Sequence, residues 1–65
     1  MKYTNSQMRE LIDEHIHSQR DREILKRRFI DGVRYEPLAE EFDMSRAQIV
    51  RIVQSGVNTV SEHIK

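Results

Sequence analysis

The sequence predicts a small all-α domain, four helices in a compact bundle with a helix-turn-helix and a long C-terminal helix. Three observations carry this. Apolar residues recur three and four positions apart through most of the chain, which is the spacing of one helix face. Only one proline and two glycines occur in 65 residues, too few for the many turns of a β-sandwich. Charged residues are 34% of the chain and apolar ones 37%, a mix that suits a helical domain with a solvated surface and is too apolar for disorder. Residues 1–65 read as one domain. A core this small supplies only a few kcal/mol of net stability.

The first helix is expected from about Asn5 or Ser6 to His17. Met8, Leu11, Ile12, His15 and Ile16 form its apolar stripe, and Ser6 is available as a cap. Ser18 opens the second, which runs to Ile30. Ser18 with Asp21 three residues on resembles a capping box. Ile24, Leu25 and Phe29 form the second stripe, and Asp31-Gly32 ends the helix. A loop from Gly32 to Glu36 then leads to a short third helix. Pro37 suits its first position, and Leu38, Ala39 and Phe42 are expected to point inward. The fourth helix starts after Ser45 as N-cap and continues to the end of the chain. Ile49, Ile52, Val53, Gly56, Val57, Val60 and Ile64 hold its spacing. Gly56 and the β-branched residues after it lower helix propensity, so packing must hold this half and fraying is expected near His63.

Composition excludes several classes of function. The chain has no cysteine, so disulfides and thiolate metal sites are ruled out and a reducing interior is the natural setting. No apolar run is long enough to span a bilayer, and the opening MKYTNSQMRE lacks the apolar stretch of a signal peptide. The expected setting is the cytoplasm. An enzyme is not expected either: there is no HExxH, no glycine-rich phosphate loop and no cysteine nucleophile. Glu14, His15 and His17 are close in sequence but do not share a helix face. His15 reads as a residue at the core's edge, and His17 and His63 as solvated helix ends. No metal and no cofactor are expected.

Eleven basic residues balance eleven acidic ones, so net charge alone gives no hold on nucleic acid. The distribution is zoned. Residues 20–34 carry six basic and three acidic residues, and residues 35–45 carry four acidic and none basic. Residues 46–65 carry Arg46, Arg51 and Lys65 against Glu62.

The stretch EEFDMSRAQIVRI, residues 40–52, places a tight corner at Asp43-Met44-Ser45 between two helices. A helix-turn-helix needs a small residue where the second helix crosses the first, and Ala39 supplies it. Phe42 and Met44 are the apolar residues flanking the corner; Ile49 and Ile52, three apart, anchor the second helix. The same pattern also serves a purely structural αα-corner. If the second helix enters a DNA major groove, its outward residues are Ser45, Arg46, Ala47, Val50, Arg51 and Gln54. Arg46 and Arg51 can donate to guanine or bind phosphate, and Gln54 can pair with adenine. Ala47 and Val50 suit thymine methyl groups; equally, Ala47 is a good helix former and Val50 a surface apolar residue or part of a protein interface.

RDREILKRRF and PLAEEFDMSRAQIVRI, with the spacing between them, resemble region four of the sigma factors of bacterial RNA polymerase. The likeness covers about residues 18–62. It implies a compact all-α domain that reads promoter DNA, with Arg46, Ala47, Val50 and Arg51 at base-reading positions. It further implies phosphate contacts from Lys26, Arg28 and Arg34. The chain departs from the family at Glu36, where a threonine that meets phosphate is common, and at Ala47 and Val50, which are usually charged. The tail NTVSEHIK lacks the family's basic character. A chain this short is not expected to hold the further sigma domain that grips the polymerase.

The leading expectation is a sequence-specific DNA-binding transcriptional regulator of bacterial, phage or mobile-element origin, with double-stranded DNA as partner. The alternative is a sigma-like protein-interaction module that binds RNA polymerase or a regulator without reading DNA. A homodimer through the C-terminal helix competes with packing of Val57, Val60 and Ile64 on the first helix.

Overall fold

The computed structural model describes residues 3–63. It is all-α, with four helices: α1 (Asn5–His15), α2 (Gln19–Phe29), α3 (Tyr35–Glu41) and α4 (Arg46–Glu62). The longest helix, α4, packs on each of the other three, while among the described residues α1 and α3 do not meet. Ile64, expected at the end of the α4 stripe, lies outside the described residues. None of the described helices is long and apolar enough to cross a membrane.

The helix ends follow local chemistry, and three differ from the sequence expectation. Thr4, not Ser6, caps α1. The Gln7 N–H donates to Thr4 Oγ1 at 3.1 Å and the Thr4 N–H donates to Gln7 Oε1 at 2.9 Å, a reciprocal box that Ser6 cannot make with Arg9. The helix stops at His15, two residues earlier than expected, because Ile16 turns extended and drops its side chain into the core. Its carbonyl is then met by Arg22 Nε from α2. Ser18 caps α2 as expected, accepting from the Asp21 N–H, but only this half of the box forms: the Asp21 carboxylate instead accepts from Arg20. At the other end Gly32 takes φ +74°, and the Val33 N–H closes back on the Arg27 carbonyl.

The third helix begins at Tyr35 with Arg34 at the cap position, so Pro37 is its third residue and not its first. Nothing is lost, because a backbone N–H at that position would still have no partner within the helix.

Ile12, Ile24, Leu25, Leu38 and Ile49 are almost fully buried, joined by Ile16, Ala39, Val53 and Val60. Burying each large side chain contributes about 1.5–3 kcal/mol, so truncating any one removes much of what a domain of this size holds. Every helix supplies at least one of these residues. Phe29 departs from expectation. It stands at the α2 terminus with 40% of its surface exposed, at the rim of an apolar hollow of about 230 Å³ floored by Ile12, Leu25 and Gly56.

The α4 stripe packs inward. Val53, Gly56 and Val60 are buried and Val57 is half-buried against the core. Gly56 weakens the helix locally but allows α2 and α4 to approach closely, since a Cβ there would stand 2.5 Å from Leu25 Cδ1. Packing carries the helix through to Glu62, and His63 at its C-cap stacks on His15 with ring centroids 3.9 Å apart.

Candidate nucleic-acid interface

The corner between α3 and α4 is built from backbone outward. Asp43 takes φ +55°, the left-handed conformation that usually favours glycine and that aspartate tolerates better than most residues. This lets the Met44 N–H reach the Ala39 carbonyl at 2.9 Å and the Asp43 N–H reach the Glu40 carbonyl at 3.3 Å. These two bonds form a Schellman closure, which satisfies carbonyls that the end of α3 would leave orphaned. The chain then enters α4 through a capping box. The Gln48 N–H donates to Ser45 Oγ at 3.1 Å, and the Ser45 N–H donates to Gln48 Oε1 at 3.0 Å. Phe42 and Met44 pack against the core on either side of the turn, while Ala39 is buried beneath it.

The pose of α3 is held from the other side by Arg27. Its Nε and one terminal nitrogen donate to the Glu41 carboxylate at 2.8–3.2 Å, and its second terminal nitrogen donates to Asp31 at 3.0 Å. A planar guanidinium facing a carboxylate in this forked way fixes orientation as well as distance. Glu41 and then Asp31 hold the Arg27 guanidinium firmly in its charged form, pushing its pKa up.

The candidate readers lie as the helix geometry requires. Ala47, Arg51 and Gln54 fall at i, i+4 and i+7 on the side of α4 away from Ile49 and Val53, and all three are exposed. Arg46 is exposed at the first turn and Val50 is half-buried on the flank. Ser45 is exposed too, but its oxygen is engaged as the cap acceptor, which leaves its O–H as the group free to donate.

Of the three residues expected to meet phosphate, the structure brings two together. Arg28 and Arg34 line a shallow hollow of about 270 Å³ with Tyr35, Glu36, Pro37 and Arg46. The Arg28 guanidinium lies over the Tyr35 ring at 4.8 Å from its centroid, and its Nε is buried without a hydrogen-bond partner. Stacking of this kind favours a cation and restricts its motion. Lys26 is not part of this group. Two residues from Arg28, it faces elsewhere and pairs with Asp13 of α1 at 2.7 Å, a contact that holds the Asp13 carboxyl below its ordinary pKa. Tyr35 was not singled out in the sequence, since its contact with Arg28 forms across a loop and no local periodicity signals it.

The ion pairs divide the surface. Arg20, Lys26 and Arg27 each have a carboxylate within 4 Å, whereas Arg28, Arg34, Arg46 and Arg51 have none among the described residues. Among the same residues Arg9 and Arg22 lack one as well, but Arg28, Arg34 and Arg46 are the ones that gather at a single hollow, beside the first turn of α4. Among the described residues no three His, Asp or Glu side chains are grouped to hold a metal ion. Comparison of the chain with protein-family models, curated proteins and solved structures finds no match to any of them.

Proposed function

We propose that this protein is a sequence-specific DNA-binding regulator of the helix-turn-helix kind, similar to sigma region four, with α4 placed in the major groove. The observation that carries the reading is the gathering of Arg28, Arg34 and Arg46, none paired with a carboxylate, beside the first turn of α4. A chain with no net charge attracts a polyanion only through a local excess of this kind. Arg28 and Arg34 hold the phosphate backbone with the Ser45 hydroxyl, and this sets the helix in register. Arg46 and Arg51 then meet guanine edges, Gln54 an adenine, and Ala47 with Val50 the thymine methyl groups.

Two cationic phosphate contacts, Arg28 and Arg34, give a log–log salt slope of about −2 and affinity that weakens as salt rises. One helix reads few base pairs, so a dimer or a larger protein such as RNA polymerase completes the site. Fluorescence polarisation with random-sequence duplex at low salt tests the proposal. Binding in the micromolar range or tighter, lost with salt at that slope, is the expected result. Absence of binding at tens of micromolar protein sinks it.

A second reading, a sigma-like module that binds protein without reading DNA, is favoured by the apolar hollow bordered by Phe29 and Val57. Phe29→Ser separates the two. It leaves duplex binding intact under the first reading and removes capture of RNA polymerase or a regulator under the second.

A further inference from the structure

Glu36 is a carboxylate placed among three guanidinium groups that it does not neutralise. It lines the same hollow as Arg28, Arg34 and Arg46, yet none of the three has a carboxylate oxygen within 4 Å among the described residues. By contrast, Glu41 and Asp31 close into contact on Arg27, and Asp13 on Lys26. Arg28 is laid on Tyr35 at 4.8 Å, Arg34 sits at the cap position of α3 and Arg46 opens α4. The hollow is open enough, at about 270 Å³, to admit a group the size of a phosphate. Arg28 also keeps a buried Nε without an acceptor.

From this arrangement we infer that the hollow receives one phosphate of a nucleic-acid backbone and that Glu36 is a built-in brake on it, a fixed negative charge that lowers affinity until a partner or a second contact adds binding energy. The inference rests on the proposed DNA-binding reading and adds a regulating residue to it. Like charges a few ångströms apart repel even in water, and that repulsion is screened as salt shortens the Debye length. Removing the charge therefore strengthens binding most at low salt and least at high salt. A purely structural role for Glu36, in the first turn of α3, predicts the opposite: a substitution there loosens the helix and weakens binding at every salt concentration.

The test is polarisation of a random-sequence duplex with the wild type, Glu36→Gln, Glu36→Lys and Glu40→Gln, each from about 20 mM to 500 mM salt. Glu40→Gln makes the same change in formal charge on the same helix, at a residue outside the hollow. The expected order of affinity at low salt is Glu36→Lys above Glu36→Gln above wild type. The gain for Glu36→Gln is roughly threefold to tenfold, on the scale of one close charge pair in water. Glu40→Gln moves far less, and the Glu36 gains shrink towards unity with salt. Equal effects of Glu36→Gln and Glu40→Gln, or a gain that does not shrink with salt, overturn the brake and leave the DNA reading standing. Failure of all four proteins to bind overturns both.

Discussion

Gly56 and Leu25 are packed so closely that a single added carbon on the glycine would come within 2.5 Å of Leu25 Cδ1 and 3.1 Å of its Cγ. Leu25 is 2% exposed, and its branched end must shift towards the apolar hollow it borders to admit that carbon. In an isolated helix, alanine in place of glycine is worth about 1 kcal/mol. Overpacking a closed core costs about 1–3 kcal/mol. The steric cost wins here, and Gly56→Ala should lower stability by roughly 1 kcal/mol despite the better helix former. Shortening the opposing side chain with Leu25→Val should restore part of it, so the double variant should exceed the sum of the singles in urea unfolding. Additive behaviour would show that the two residues do not press on one another.

Asp43 offers the reverse case, a position where glycine should help. Its φ of +55° strains a residue with a Cβ, by roughly 1 kcal/mol. Its carboxylate also stands at the negative end of α3. Asp43→Gly should raise the urea midpoint, Asp43→Asn should raise it less, and Asp43→Val should lower it. Unchanged DNA affinity across the first two would show that the corner, rather than the carboxylate, matters at this position.

The Asp13–Lys26 pair ties α1 to α2 and gives a pH dependence of known sign. The hydrogen bond from Lys26, aided by Arg22 and Arg9, lowers the Asp13 pKa in the folded state. A depressed carboxyl contributes stability that is present above its unfolded value, about pH 4, and is lost as the pH falls through the folded value. The wild type should therefore lose thermal stability on acidification below about pH 4 more steeply than Asp13→Asn. Identical profiles would mean that the contact is too well solvated to count.

Arg34 and Arg51 should fail differently when removed. Arg34, in the hollow with Arg28, is expected to hold backbone, so Arg34→Ala should weaken all duplexes alike and reduce the salt slope by about one. Arg51, on the outward face of α4, is expected to read a base. Arg51→Ala should cost about 1–3 kcal/mol on a selected site and much less on random duplex. Selection of duplexes from a random pool, followed by titration at several salt concentrations, measures both.

The sequence by itself determined the number of helices, their approximate bounds and the corner. These signals are local: three-and-four spacing, the Ser18 and Ser45 caps with their partners three residues on, and the turn at Gly32 all act within one or two turns of backbone. Even the misplaced features, Thr4 for Ser6 as cap, His15 for His17 as the end of α1 and Tyr35 for Pro37 as the start of α3, erred by two residues. Tertiary structure alone decided which charges remain unpaired. Lys26 and Arg28 are two residues apart in one basic run, yet one turns to Asp13 and the other to Tyr35 and the start of α4. It also decided that Phe29 stands at a rim and that Gly56 is a contact point rather than a weakness. The reason is geometric. Spacing along one helix tells which residues share a face, but which face meets which neighbour depends on how the helices cross, and that is settled only when the whole core packs.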